Sequence, residues 1–203
     1  ARTVLTGMRG SGKSQLATAV AARCEKEGWP LVAWVPAGSR GAVLSGLVEL
    51  GLELGVRVED GPSREVIAQR CLTALASAQG SNRLIVFDDV KNPDDLVGLV
   101  PRGEGVRVLV TTTRLADWEH EGWVHVPVGV FEREQSIGIL LDRTDQTGHE
   151  TADVEAADAV AGALGDLPVA VVQAAATARR DRCTLAAYLD VLERTTLEEA
   201  VRR

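Results

Sequence analysis

Five short apolar runs punctuate the first 127 residues: Thr3–Thr6, Leu31–Val35, Leu84–Phe87, Val106–Val110 and Trp123–Val126. They show little alternation of apolar and polar residues, the mark of strands buried on both faces. Amphipathic stretches separate them. Lys13–Lys26 reads as a helix, Val43, Leu44, Leu47 and Val48 recur at helical spacing, and Val66, Ile67, Cys71, Leu72 and Leu75 share a face behind an N-cap at Ser63, with Glu65 in the first turn. Buried strands alternating with helices predict an α/β domain with a parallel sheet covered on both sides. From about Val128 the strands stop. Glu132–Asp145, Ala152–Leu164, Pro168–Ala178 and Leu185–Arg194 read as helices, with Thr151 and Thr184 as N-caps and Gly165 and Pro168 as punctuation. The expected division is an α/β domain over 1–127 and an all-helical subdomain over 128–203.

Composition narrows the class. A chain of 203 residues, 45% apolar and 25% charged, is long enough to bury a core without staples and too apolar to be disordered. Its net charge of −7 argues against a nucleic-acid or anionic-membrane surface. Arg179, Arg180 and Arg182 cluster locally and read as a solvated helix end. Cys24, Cys71 and Cys183 are scattered and odd in number, which suits a reducing, cytoplasmic compartment. His120, His125 and His149 lack metal-like spacing and read as surface residues. No run reaches the roughly 20 apolar residues of a membrane span. The abrupt start at Ala1 suggests a piece of a longer protein. Of 22 basic residues only Lys13, Lys26 and Lys91 are lysine, so each lysine invites a reason.

One lysine has a reason at once. Gly7, Met8, Arg9, Gly10, Ser11, Gly12, Lys13 and Ser14 fit the spacing G-x-x-x-x-G-K-[ST], placed between the first strand and the first helix. Glycines let successive backbone N–H groups turn inward around a β-phosphate, and the helix N-terminus adds partial positive charge. Lys13 can reach the β- and γ-phosphates, and the Ser14 hydroxyl can ligate Mg²⁺.

Two further segments match this loop. Leu84–Phe87 ends in Asp88 and Asp89, so a buried strand delivers a carboxylate to the sheet edge beside the loop. Asp88 there suits the Mg²⁺ water shell, and Asp89 suits orienting or deprotonating an attacking water. Val108–Val110 runs into Thr111, Thr112, Thr113 and Arg114. With the fourth strand between the first and third, Arg114 would sense the terminal phosphate and a threonine such as Thr112 would position water. No Asn-Lys-x-Asp run reads guanine, which favours adenine.

Together these segments resemble the NB-ARC domain, the nucleotide switch of STAND-type ATPases. Gly165-Asp-Leu-Pro168-Val-Ala is similar to the Gly-Leu-Pro-Leu-Ala motif of its first helical (ARC1) subdomain, and Thr184–Leu189 looks most like the bacterial members that carry tetratricopeptide repeats. The resemblance implies a P-loop fold with five parallel strands ordered 5-1-4-3-2, ATP or ADP with Mg²⁺ as ligands, and a protein held off by ADP and turned on by ATP-dependent oligomerisation. It implies self-association and partner domains in the parent chain, an N-terminal effector and C-terminal repeats. Pro168 would pack on the nucleotide from the helical side, its fixed φ suiting a helix start. Two positions depart from the family. Arg9 replaces a small residue and must point outward, and Gln15 stands where threonine is preferred at the α-phosphate. The winged-helix subdomain is absent from this sequence.

Three functions fit: a slowly hydrolysing Mg²⁺-dependent ATPase used as a conformational switch, a non-hydrolysing scaffold stabilised by nucleotide, and an AAA-type motor or P-loop kinase. The switch fits best, because the helical tail offers Arg143, Arg179, Arg180 and Arg182 but no lid pattern.

Overall fold

All five strands of the structure, a computed structural model, run parallel in one sheet ordered β2-β3-β4-β1-β5. They are β1 (Arg2–Thr6), β2 (Leu31–Pro36), β3 (Arg83–Val90), β4 (Val106–Thr112) and β5 (Val124–Pro127). This is the expected order, and it sets β4 between β1 and β3. Residues 1–57, 63–77, 82–114, 118, 122–144 and 151–201 are described, with side chains as far as 194. The chain divides into two units, Ala1–Val128 and Gly129–Arg203.

Strand geometry explains why the runs do not alternate. Successive side chains point to opposite faces, and both faces are covered. Val4, Ile85, Phe87, Val108 and Val110 face α2 (Arg40–Glu53) and α3 (Arg64–Ser77) in one core. Leu5, Leu84, Val86 and Leu109 face Ala17, Ala21 and Cys24 of α1 (Lys13–Lys26) in another. On α3 the buried stripe is Ile67, Ala68, Cys71 and Leu75, whereas Val66 is 42% exposed. At about 100° per residue, Val66 falls beyond the edge of that stripe. Ser63 stands where expected, its carbonyl accepting from Val66 and Ile67.

Among the described residues the second unit has four helices: α4 (Arg133–Arg143), α5 (Thr151–Ala163), α6 (Pro168–Asp181) and α7 (Leu185–Val201). Leu140, Val160, Val171, Ala174 and Leu185 fill its core. Thr151 is the first helical residue of α5 rather than the residue before it. Thr184 does cap α7, its hydroxyl accepting from the Ala187 N–H at 3.2 Å. Arg133 ties the unit together. Its guanidinium donates to both Asp166 oxygens at 2.7–3.2 Å and to Asp158 Oδ1 at 3.1 Å. Asp166 sits in the left-handed region at φ 54°, its N–H donating to Ala161 and its carbonyl accepting from Phe131. Arg133 holds the Asp166 carboxyl below its ordinary pKa. Arg179, Arg180 and Arg182 are exposed at the end of α6. Among the described residues no helix is long and apolar enough to cross a membrane.

Candidate functional site

Parallel strands bring their C-terminal ends to one edge. There Pro36 pairs with Asp88, and Thr6 pairs with Thr112 and with Pro127. The chain leaves β1 at Gly7, where the Val128 N–H donates to the Thr6 carbonyl at 2.6 Å. A Cβ on Gly7 would lie 2.2 Å from the Val128 carbonyl oxygen, so no other residue fits. Gly12 precedes α1 at φ 93°, a conformation that glycine adopts freely.

Lys13 folds back over the loop. Its ammonium donates to the Gly7 and Met8 carbonyls at 3.0 and 2.8 Å, and the residue is 8% exposed. Burial lowers its pKa below the ordinary lysine value, Asp89 and Asp88 push it back up, and the Arg9 charge adds to the lowering. Ser11 is buried and its hydroxyl has no hydrogen-bond partner, an orphaned polar atom inside the turn. Gly10 is half-buried, while Met8, Arg9 and Gln15 are exposed.

Ser14 meets the acidic pair. Its hydroxyl donates to Asp88 Oδ1 at 2.8 Å, and Thr111 donates to the same oxygen at 2.5 Å. The Thr111 oxygen also accepts from the Asp89 N–H at 2.9 Å. One hydroxyl therefore holds both aspartates, at a point where β3 and β4 slip register between Phe87 and Val90. Asp89 itself lies at φ 61°, and its carboxylate stands 3.7 Å from the Lys91 ammonium. Both groups are more than half exposed, so this pair contributes little.

The threonine run sorts differently from the sequence reading. Thr112 is buried, its hydroxyl donating to the Val90 carbonyl at 2.6 Å and accepting from the Arg114 N–H at 3.0 Å. It braces the strand end that presents the exposed Arg114. Thr111 is the hydroxyl facing the carboxylate, and reading the residues alone missed it. His125 is likewise more than a surface residue, since its Nε2 lies 2.5 Å from the Thr6 hydroxyl at the base of the loop. His120 and His149 lie outside the described residues. Pro168 is buried at the first position of α6, in the Gly129–Arg203 unit.

The donor set fits Mg²⁺ with nucleotide. Ser14 and Asp88 offer one hydroxyl and one carboxylate side by side, and among the described residues no three His, Cys, Asp or Glu groups form a cage. Mg²⁺ keeps waters and takes phosphate oxygens, so it needs only such a pair from the protein. The glycine turn, the orphaned Ser11 hydroxyl and the Lys13 ammonium match a polyphosphate.

Comparison with known proteins follows the same lines. The model of the NB-ARC domain matches residues 3–144. No curated protein matches the chain. Among solved structures, Cdc6p of Pyrobaculum aerophilum is similar with a TM-score of 0.63 and 16% identity, over 90% of this chain and 56% of that one. The Orc1 protein of Aeropyrum pernix, solved in complex with DNA, gives 0.56 and 21%, over 97% of this chain and 59% of that one. A STAND protein with a tetratricopeptide repeat sensor from Pyrococcus horikoshii gives 0.51 and 17%, over 83% of this chain and 26% of that one. The chain thus spans little more than half the length of the first two. The shared element is the α/β fold of the P-loop ATPases.

Proposed function

Because this chain belongs to the NB-ARC domain family, we propose that it is the adenine-nucleotide-binding switch module of a larger STAND-type signalling protein, binding ATP or ADP with Mg²⁺ and hydrolysing ATP slowly. The observation that carries the reading is the contact of Ser14 with Asp88, braced by Thr111, beside a glycine loop closed by Lys13. Lys13 moves from its two carbonyls to the β- and γ-phosphates. Bound Mg²⁺ supplies charge neutralisation at the phosphates, with Ser14 and Asp88 as its protein partners. Asp89 orients the attacking water and accepts its proton, and Arg114 answers the terminal phosphate. Self-association, an N-terminal effector, C-terminal repeats and a cytoplasmic location complete the proposal.

Two variants test it, with nucleotide binding read by calorimetry and turnover by phosphate release. Lys13→Ala is expected to abolish binding of ATP and ADP, because the phosphates lose their fixed cation; unchanged affinity overturns the phosphate-loop assignment. Asp89→Ala is expected to bind normally and lose hydrolysis. Fast multiple turnover by the parent chain would favour a motor or kinase, and none at all a scaffold. ADP released on denaturing freshly purified protein would support the switch.

A further inference from the structure

The exit of β1 into the phosphate loop is held from β5, a strand that carries none of the residues assigned to phosphate or metal. β5 lies beside β1 in parallel register, with His125 opposite Val4 and Pro127 opposite Thr6. From the level of Val4 the His125 ring reaches two residues along β1, and its Nε2 lies 2.5 Å from the Thr6 hydroxyl. Just past β5 the Val128 N–H donates to the Thr6 carbonyl at 2.6 Å. The Val128 carbonyl oxygen stands so close to Gly7 that a Cβ there would come within 2.2 Å of it. Thr6 is thus held by side chain and by backbone at the point where strand becomes loop.

Immediately beyond Thr6 lies the seat of the ammonium. The Gly7 carbonyl accepts from Lys13 at 3.0 Å, and the Met8 carbonyl accepts at 2.8 Å. Only the Gly7 Cα separates the planar Thr6–Gly7 peptide from the first of these carbonyls. A displaced end of β1 therefore displaces an acceptor of Lys13.

Two properties give the His125 contact its weight. Thr6 is fully buried, so its hydroxyl cannot turn to water, and among the described residues His125 is its one partner. A buried hydroxyl that loses its partner bears the desolvation cost or pulls toward another acceptor. Imidazole also suits the place, because Nε2 accepts from a hydroxyl in one tautomer and donates to it in the other.

Resting on the phosphate-binding role proposed above for Gly7–Ser14, we propose that His125 is a positioning residue for that loop. Through the Thr6 hydroxyl it fixes the end of β1, and with it the Gly7 carbonyl and Lys13, in the posture that receives nucleotide phosphates. The imidazole acts through the strand end, not on the nucleotide.

The test compares three variants of the whole chain. His125→Leu leaves the Thr6 hydroxyl alone, His125→Gln returns an amide able to donate or accept, and His125→Leu combined with Thr6→Val removes both polar groups. Calorimetry reads affinity for ADP with Mg²⁺, and a melting curve reads stability. ¹³Cε-labelled lysine reads Lys13 in nucleotide-free protein, where only Lys26 and Lys91 share the spectrum and Lys26→Arg and Lys91→Arg assign it. His125→Leu is expected to lose about tenfold in affinity, to melt lower, and to move the Lys13 resonance while Lys26 and Lys91 stay in place. His125→Gln should recover most of the affinity. The double variant should regain stability, having no orphaned hydroxyl, and still bind weakly. Parental affinity in His125→Leu, glutamine no better than leucine, an unmoved Lys13 resonance, or affinity that returns with stability in the double variant overturns the proposal. A parent chain that binds no ADP overturns the assignment of the loop itself, and the Lys13 resonance then still decides whether His125 governs that ammonium.

Discussion

Thr111→Val removes one oxygen and keeps the shape of the side chain, which isolates what that hydroxyl does for the acidic pair. In the parent it donates to Asp88 Oδ1 at 2.5 Å and accepts from the Asp89 N–H at 2.9 Å. A bond to a charged group contributes about 1.5–3 kcal/mol and a neutral one about 1 kcal/mol. Asp88 keeps its Ser14 partner and exposed Asp89 can turn its N–H to water, so the net loss is about 2 kcal/mol. For a unit of about 130 residues, an unfolding entropy of about 0.27 kcal/mol/K converts this to a drop of about 7 °C in midpoint. Differential scanning calorimetry reads it directly, and Thr111→Ser should recover most of the loss. A drop under about 2 °C in Thr111→Val, or an equal drop in the serine variant, would refute the idea that one hydroxyl holds both aspartates.

Other perturbations probe different parts of the molecule. Lys13 has its pKa lowered by burial, and bound phosphates would raise it. Nucleotide affinity should therefore fall, by roughly tenfold per pH unit, as pH rises from the lowered free value toward the bound value; calorimetry giving flat affinity across the alkaline range would contradict this. By the same sign, keeping Lys13 charged opposes folding at low pH, and that cost is shed as pH rises through its folded value. A Cβ at Gly46 would lie 2.8 Å from Val35 Cγ1. Crowding of about 1–3 kcal/mol outweighs the gain in helix propensity of about 1 kcal/mol, so Gly46→Ala should be destabilised in urea by about 1 kcal/mol and coupled to Val35→Ala. Burial pushes the Cys71 thiol up to about 11; in native protein at pH 8 iodoacetamide should label half-buried Cys183 first, as peptide mapping would read.

Much of this was legible in the residues because burial on both faces leaves a strong trace. Val4–Leu5, Leu84–Phe87 and Val108–Val110 read as strands since each residue finds a core on one side or the other. Glycine spacing at Gly7 and Gly12 carried equal information, because conformation and close approach admit nothing else there. What escaped was parity. Thr111 and Thr112 are chemically identical, and which of them meets Asp88 depends on a register slip between Phe87 and Val90 that leaves no mark in composition. Long-range pairs escaped for a similar reason. Arg133 and Asp166 are 33 positions apart, and nothing in either segment alone says that they meet. Trp123 reads only as the start of the fifth strand, and nothing in the sequence says that its ring meets Trp118 edge to face.

The resting posture of Lys13 bears on how readily the loop exchanges its contents. An ammonium that loses a phosphate in a dry cleft would normally be stranded, and departure would wait for water to reach it. Here the Gly7 and Met8 carbonyls stand ready to receive it. Leaving and arriving become a swap of acceptors, with no moment at which the charge lacks company. A loop so equipped would let a phosphate leave faster than one whose lysine had no second set of acceptors.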